Sequence, residues 1–524
     1  MANRKLTKYN VLIIAFAALG SLTFGYTNTI IGSTLGQPTF VSYFHINQGA
    51  NANRIIGAMN GIYTGGGCKW SANKLPSVRI TADQVLDIFA SVLGALFSSW
   101  TADKFGRKWT IFLGALLATI GGALTAAAMN LAMFLVFRFV NGCGIGILLA
   151  LVPLYQSEVA PPHNRGLMVG FHGVVVTLGY FGGSWIGFGF YFLNGLRGAQ
   201  WRLPLAIQAI PPLLCCISIV FLPESPRWLI SQDRAEEALV IVRRLHHHPE
   251  DPDDTYAVRE YHQILQQHEI DRRFNVSWYQ LFAKPSYRKR MIIGFVVLFG
   301  AQTTGTTVIA NYGPKLYSTL GFGTTLQLLL SAVYATIALC GNMFNAATVD
   351  HIGRVKALKI GWIGDLCSLI GECVALSIFQ RTGARSAAVA CVVFLFTHIG
   401  CFAFNIDVTT YVYTSEIFPN HIRSKGMAWS ISSYFAALIV YLQVAPTAFS
   451  ALGWKFYLVF VVLLAAFISP LFFYCPESKG LSLEEIGRLF GDEATDIALD
   501  GPASLDNKLA LGQDVEMLEA TQEN

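Results

Sequence analysis

The sequence predicts an all-α membrane protein in which twelve transmembrane helices form two bundles of six. Composition, the spacing of apolar segments and an internal repeat predict this fold. Of the 524 residues, 53% are hydrophobic and 13% are charged, whereas a soluble domain usually contains about 25% charged residues. The apolar segments are about 20 residues long, the length at which a helix crosses a hydrocarbon core of about 30 Å.

Eleven apolar segments are uninterrupted, and a twelfth, second along the chain, is split by polar sequence. The first segment is long and lacks a small-residue cleavage site, so we interpret it as a membrane helix rather than a signal peptide. The eleven begin near Val11, Trp109, Leu131, Leu167, Leu203, Met291, Leu326, Ala357, Ala387, Ala428 and Phe456.

Basic residues are concentrated in alternate loops. They precede the first segment at Arg4, Lys5 and Lys8, and they are frequent between residues 223 and 290. The positive-inside rule therefore predicts that both termini and the central loop lie in the cytosol. The net charge of +5 reports this topology and gives no reason to expect nucleic acid as a partner. The ten cysteines show no paired spacing, so we expect no disulfide, metal site or cofactor.

A polar stretch at residues 68–87 splits the second segment. Without it, the apolar flanks join into a span of about 26 residues, enough for a tilted crossing. Each of its five charges would cost roughly 2.5–3.5 kcal/mol near the centre of a membrane helix. Cys68-Lys69-Trp70 can be encoded with the splice donor GTAAGT, and Leu86-Asp87 with a terminal AG whose use keeps the reading frame, so we hypothesise an unspliced intron. The alternative is a real loop between two half-helices.

Three motifs occur twice. Asp103-Lys-Phe-Gly-Arg107 matches Asp350-His-Ile-Gly-Arg354, and Pro223-Glu-Ser matches Pro476-Glu-Ser. Glu158 and Arg165 match Glu416 and Arg423, with the base seven positions after the acid in both cases. Each half therefore has six helices, which is typical of the major facilitator architecture, with a binding site between the halves. The predicted parts are an N-terminal bundle at 1–222, a cytosolic loop with short helices at 223–290, a C-terminal bundle at 291–475 and a largely disordered cytosolic tail at 476–524.

The repeated charges suggest a gate. The arginine of each Asp-x-x-Gly-Arg turn can reach a carboxylate at the end of a neighbouring helix, and such pairs can hold one conformation and release in another. Ordinary surface ion pairs are the alternative, and each contributes little by itself. Repetition at matching places favours the gate. Its predicted members are Asp103, Arg107, Glu158, Arg165, Asp350, Arg354, Glu416 and Arg423.

Several motifs together resemble the sugar porter family of the major facilitator superfamily, and fungal hexose-type transporters in particular. The motifs are RFVNGCGIGI, VPLYQSEVAPPHNRG, PESPRW, YTSEIFPNHIRSKG and PESKGLSLEEI. The likeness runs from about residue 16 to residue 486, apart from the polar stretch. It implies a major facilitator fold and transport by alternating access.

The resemblance also implies substrate ligands. Gln302 matches the second glutamine of the family's Gln-Gln-Leu-Ser-Gly-x-Asn pattern, whereas Ala301 and Thr307 replace the first glutamine and the asparagine. The family's glutamine in the fifth segment aligns with Gly173, next to His172, and its tryptophan in the tenth aligns with Tyr411. Hexose is therefore not a safe inference. The candidate ligands are Gln302, Thr303, Thr307, Asn311, Tyr411 and His172, with helix–helix packing as the alternative for the threonines and His172.

Proton coupling needs a buried acid. Proton-coupled relatives carry an aspartate in a Phe-Gly-Tyr-Asp pattern, and this chain has Thr27 there. That favours facilitated diffusion, or coupling through another acid such as Asp407 or Asp365. Asp407 lies four residues before Tyr411, on the same helix face. It could bind substrate hydroxyls, carry a proton, or accept hydrogen bonds from neighbouring helices.

These observations predict a multi-pass transporter of a small polar solute, most simply a sugar, that acts as a monomer in the plasma membrane. Its partners would be the solute, the lipid bilayer and, if coupled, protons. An exporter of a secondary metabolite and a non-transporting nutrient sensor are the alternatives. An enzyme is disfavoured, because no nucleophile–base pair or metal constellation is evident.

Overall fold

The computed structural model describes residues 8–44, 97–98, 100–159, 165–193, 198–246, 254–273, 276–479, 481 and 483–491. Within these ranges the chain forms helices and turns and no strand. The polar stretch at 68–87 and most of the second predicted crossing lie outside them. The last part of that crossing is helical at residues 100–105.

The N-terminal bundle contains five of the predicted crossings within the described residues. Its last crossing is interrupted between α6 and α7, where Pro211 and Pro212 lack the N–H groups that would continue the helical hydrogen bonds. The helices are α1 (Lys8–Leu35), the short α2 (Pro38–Tyr43), α3 (Arg107–Ala126), α4 (Leu131–Val159), α5 (Arg165–Tyr191), α6 (Ala199–Ile207) and α7 (Ile210–Ile219).

A segment of short helices links the bundles. It consists of α8 (Pro226–Ser231), α9 (Ala235–His246), α10 (Thr255–Arg273) and α11 (Trp278–Ala283). Serine side chains cap the first and last of these helices. The Ser225 hydroxyl accepts a hydrogen bond from the backbone N–H of Trp228, and Ser277 forms a capping box with Gln280.

The C-terminal bundle contains six crossings, two of which are broken into successive helices. The breaks lie at Thr304–Gly305 and at Ile406. The helices are α12 (Pro285–Thr303), α13 (Thr306–Thr319), α14 (Thr324–Ile352), α15 (Arg354–Thr382), α16 (Arg385–Asn405), α17 (Asp407–Ile417), α18 (Asn420–Leu452) and α19 (Lys455–Tyr474), and α20 (Leu483–Leu489) follows them.

Membrane character follows from these helices. Nine segments of the described chain are long and apolar enough to cross a bilayer. The helices α1 and α19 occupy the positions of the first and twelfth predicted crossings. The all-α membrane fold with paired bundles is therefore confirmed.

The two bundles meet along a seam where small residues allow close approach. A side chain on Gly32 of α1 would lie 2.7 Å from the backbone oxygen of Asn311 on α13, and Gly36 lies against Pro314 one turn later. On the other side of the seam, the indole N–H of Trp185 on α5 donates to the hydroxyl of Thr336 on α14 over 3.0 Å. Small residues at helix contacts are typical of membrane bundles.

Candidate functional site

A polar cavity lies on the seam between the bundles. Helices α1 and α5 form one wall, and α12, α13, α14, α16, α17 and α18 contribute the other. Ile309, Ala310, Phe402 and other apolar residues complete the wall. The polar side chains that line it are Asn28, Thr29, Thr177, Tyr180, Ser184, Gln302, Thr306, Thr307, Asn311, Tyr317, Ser331, Tyr334, Asp407 and Tyr434.

The break between α12 and α13 brings polar groups to the cavity. Gly305 adopts a left-handed conformation with φ of +78°, which other residues rarely take, and it separates the two helices. The Thr307 hydroxyl donates to Oε1 of Gln302 across the break over 2.8 Å. Asn311 donates to the Thr307 carbonyl one turn further on. The break thus places the side-chain amides of Gln302 and Asn311 at the cavity, in positions that a continuous helix would not give them.

Asp407 lies at the second break, where α17 begins. Its Oδ2 accepts from the Asn342 amide over 2.7 Å, and the same amide nitrogen lies 2.5 Å from the Thr177 hydroxyl of the other bundle. Among the described residues that line the cavity, Asp407 is the one acidic side chain, and none is basic. One acidic side chain therefore faces the seam within a network that joins both bundles.

The predicted ligands separate into two groups. Gln302, Thr307 and Asn311 line the cavity. Thr303 does not, because its hydroxyl donates to the Gly300 carbonyl of its own helix and is fully buried. His172 is also buried away from it, with Nδ1 2.6 Å from the Ser21 hydroxyl of α1.

The two remaining sequence candidates lie near the cavity rather than on its wall. The ring of Tyr411 is 6.4 Å from that of Tyr434, which does line the wall. Asp365 is completely buried within the C-terminal bundle, with its Oδ2 4.0 Å from Nε2 of His398.

Sequence reasoning missed the residues of the N-terminal bundle that line the cavity. Asn28 donates to the Tyr180 hydroxyl over 3.0 Å, and both residues line the cavity together with Ser184. An asparagine inside an apolar segment was the available signal, because an intramembrane polar group is costly unless it has a partner or a ligand. The family pattern drew attention to the seventh, fifth and tenth segments instead.

The first set of repeated charges forms a closed network within the N-terminal bundle. The Arg107 guanidinium lies 3.1 Å from Glu158 and 3.2 Å from Asp103. Glu158 also accepts from the Ser225 hydroxyl over 2.5 Å. Glu224 accepts from the backbone N–H groups of Arg107 and Lys108 and so caps the start of α3. The side chain of Arg165 lies outside the described part of the chain.

The second set repeats this network in the C-terminal bundle. Arg354 donates to both carboxylate oxygens of Glu416 at 2.8–3.2 Å and pairs with Asp350 at 2.6 Å. Ser478 donates to Glu416 over 2.6 Å, and Glu477 caps the backbone N–H of Arg354 over 2.8 Å. The guanidinium of Arg423 instead donates to the Phe418 carbonyl over 3.2 Å.

Burial affects Glu224, one of the acids of the first network. It raises the pKa of Glu224 above its ordinary value, and the N–H groups of Ser225, Lys108 and Arg107 oppose that rise.

A glycine precedes each arginine with φ near +100°, at Gly106 and Gly353. A side chain at Gly106 would collide with the Glu224 carboxylate, so the turn and the cap depend on each other. The charge networks therefore tie helix ends together, α3 to α4 in the first bundle and α14, α15 and α17 in the second.

A helical membrane protein with two repeated bundles, a polar cavity on their shared seam and matched charge networks at one face is a membrane transporter. The family model described as "Sugar (and other) transporter" matches residues 13–490. The chain therefore belongs to this sugar transporter family of the major facilitator superfamily, as the motifs predicted.

Individual relatives agree with this assignment. The chain is 31% identical to the MFS-type transporter criB of Aspergillus cristatus over 91% of this chain and 93% of that protein. It is 28% identical to a high-affinity glucose transporter of Kluyveromyces lactis, over 92% of this chain and 86% of the relative. Among solved structures, the proton:xylose symporter XylE bound to 6-bromo-6-deoxy-D-glucose matches with a TM-score of 0.75 at 23% identity. The match covers 93% of this chain and 100% of that one.

Proposed function

We propose that the protein moves a neutral sugar or polyol across the plasma membrane by alternating access. The observation that carries this proposal is the cavity on the seam, lined by amides, hydroxyls and tyrosines, with a single acidic side chain among the described lining residues. Uncharged hydroxyls of a solute need such donors and acceptors, and aromatic faces can pack against the C–H faces of a sugar ring. The glucose transporter among the relatives supports this solute class.

Gln302 and Asn28 are the central ligands in this proposal. They stand on opposite bundles, Gln302 at the break in the seventh crossing and Asn28 in the first. A solute held by both would be contacted by both bundles at once, so closing either end of the seam would keep the ligands together. The buried acceptor oxygens of Asn28 and Asn311 have no hydrogen-bond partner in the described structure. Both oxygens are therefore available for solute hydroxyls.

Asp407 is the proposed site of coupling to protons. An unpaired carboxylate inside a membrane protein is costly, and a proton removes that cost. It accepts a hydrogen bond from the amide of Asn342, which also contacts the hydroxyl of Thr177, and no basic side chain is among the described residues that line the cavity. Without a proton, the same geometry supports facilitated diffusion with Asp407 as a ligand for solute hydroxyls.

The proposed topology places both termini and the two charge networks in the cytosol. The basic N-terminus and the linker between residues 223 and 290 support it through the positive-inside rule. The linker contacts both bundles at the face with the charge networks. Trp228 donates to the Asp103 carbonyl, and the ammonium of Lys425 lies 2.5 Å from the Val276 carbonyl. We expect the transporter to work as a monomer, since the cavity is complete within one chain.

The charge networks are the proposed gate. Each network closes within its own bundle, so it ties helix ends to each other and moves as a unit when the bundles rock. The seam is packed where Gly32 lies against Asn311, and the proposed topology puts this end on the extracellular side, opposite the charge networks. Opening that end while the cytosolic face closes would complete the transport cycle.

Uptake measurements test the proposal. Transport-deficient yeast cells expressing the full chain, or a version without residues 69–87, would be given labelled hexoses, pentoses, disaccharides and polyols. We expect saturable uptake of at least one of these solutes, and a collapse of accumulation with an uncoupler if Asp407 carries protons. D407N should then retain downhill uptake and lose accumulation. Surface-expressed protein that moves none of them would refute the sugar assignment.

A second candidate is export of a secondary metabolite. The substitutions at Ala301, Thr307, Gly173 and Tyr411 relative to the family pattern favour it, because they change groups to which the family resemblance assigns hexose binding. Energised accumulation of a sugar in the same assay would exclude it. A biosynthetic gene cluster beside the gene, with no uptake of any panel member, would support it instead.

A further inference from the structure

A buried acid and a buried histidine lie behind the cavity, where α15 packs against α16. Nε2 of His398 is 4.0 Å from Oδ2 of Asp365, and their side chains are 1% and 0% exposed. Both carboxylate oxygens of Asp365 lack a hydrogen-bond partner in the described structure. A bare carboxylate in such a place is strongly destabilising unless it is neutralised or paired.

His398 also holds the broken helix. Its Nε2 lies 3.0 Å from the carbonyl oxygen of Thr304, which lies at the break between α12 and α13. Gln302 and Thr307 flank this break and line the cavity. The position of the His398 ring is therefore linked through one hydrogen bond to the helix that carries two proposed ligands.

Titratable side chains surround the pair, and one of them lines the cavity. Tyr334 of α14 lines the cavity, its buried hydroxyl has no partner in the described residues, and it lies within electrostatic range of Asp365. Cys401 of α16 also lies within electrostatic range of the acid. A second buried acid, Glu372, lies two turns further along α15. Its neighbours are Tyr317, Cys373, Cys391 and Tyr457.

We propose that Asp365 and His398 together hold one proton, and that this proton controls how firmly the His398 hydrogen bond holds the broken seventh helix. A proton that enters from the cavity past Tyr334 either neutralises the carboxylate or makes an imidazolium that pairs with it. When the proton leaves, the imidazole is neutral and the carboxylate charge is uncompensated. That state favours conformations in which Asp365 reaches water, so proton loss biases the helix break toward rearrangement.

Thermal unfolding of the purified full-length protein tests the pair without relying on transport. D365N replaces the carboxylate with an uncharged amide of the same shape. We expect D365N to raise Tm relative to wild type near pH 8, and the gap to shrink as the pH falls toward about 5, the range in which histidine usually titrates. The sign follows because acid removes the buried charge from the wild type only. A gap that is constant across this range would overturn the proposal.

A double-mutant cycle tests whether the two residues act together. H398Q keeps a side-chain amide near the Thr304 carbonyl and removes the titratable ring. If the residues share a proton, the Tm change caused by D365N should differ between the wild-type and H398Q backgrounds. Additive changes at every pH would show that the acid and the histidine are independent and would contradict the pair.

Transport supplies the functional arm, which rests on the proposed function. Initial uptake rates are measured in the D407N background, which removes the other proposed proton site. There they should show a pH step that both D365N and H398Q remove, whereas E372Q, which changes the other buried acid, keeps it. Loss of the step in E372Q, or its survival in D365N, would refute control of transport by this pair. Absence of any uptake by wild type would count against the sugar assignment alone, because the unfolding cycle still decides whether the pair exists.

Discussion

Substitution of Gly32 by alanine should open the end of the seam that we propose to be extracellular. The new methyl group would lie 2.7 Å from the Asn311 carbonyl oxygen and 3.3 Å from its Cα. Carbon contacts are most favourable near 3.5 Å, so α1 and α13 would have to part by up to about 0.8 Å. The obstacle is backbone, which cannot rotate away as a side chain can.

The energetic size of this effect follows from overpacking, which typically costs about 1–3 kcal/mol. The penalty applies only to conformations in which α1 and α13 touch here. A difference of about 1–3 kcal/mol corresponds to a shift of roughly 5- to 150-fold between two conformations. We therefore expect G32A to increase the outward-open population by a factor within that range.

Accessibility of the cavity measures this population. Ser184 lines the cavity, so a membrane-impermeant maleimide applied from outside should modify S184C faster in the G32A background. Labelling of the same background with native Ser184 is subtracted to remove the contribution of the native cysteines. Equal rates with and without G32A would refute the assignment of this contact to the extracellular gate.

Two glycines provide matched controls for this prediction. A side chain at Gly189 would meet nothing within 4 Å, so G189A should leave labelling and stability unchanged. A side chain at Gly25 would collide with the Val176 carbonyl inside the N-terminal bundle. G25A should therefore lower Tm without favouring outward-facing labelling, which separates general damage from a conformational shift.

Three further predictions follow from the cavity, the charge networks and the gene. Q302A should reduce uptake several-fold at normal surface expression, because it removes a cavity amide. The Thr303 hydroxyl is turned to its own helix, so T303A should leave uptake unchanged. Equal loss in both variants would remove Gln302 from the site. R354K should lower Tm and slow transport, since an ammonium cannot reproduce the two-pronged contact with the Glu416 carboxylate; a wild-type rate would show that the network does not gate. Complementary DNA should lack the codons for residues 69–87, and genomic DNA without GT near codon 68 or AG near codon 87 would exclude splicing there.

Repetition in the sequence was sufficient to predict the fold. A duplicated turn motif and apolar segments of membrane length define two similar bundles whatever the packing between them. The contacts of Arg107 with Glu158 and of Arg354 with Glu416 were also open to prediction, because each arginine stands at a helix start and each acid at a neighbouring helix end. Their role in gating stays a prediction.

The rest of the site depends on contacts between distant parts of the chain. The Pro-Glu-Ser repeat was visible, but nothing in its spacing shows that Glu224 caps a helix 117 residues earlier. His172 was a plausible ligand by its type, and its orientation toward Ser21 is decided by packing against α1. The Thr303 hydroxyl turns toward its own helix because of where that helix breaks, and a local sequence pattern does not locate the break to a single residue.

Counterflow tests the central claim of alternating access most directly. Vesicles that contain the purified protein are loaded with a high concentration of an unlabelled solute identified by the uptake panel, then diluted into a trace of the labelled form. A carrier with one site that faces each side in turn should accumulate label transiently above the outside concentration. Simple equilibration of the label without an overshoot would contradict a single alternately exposed site on the seam between the bundles.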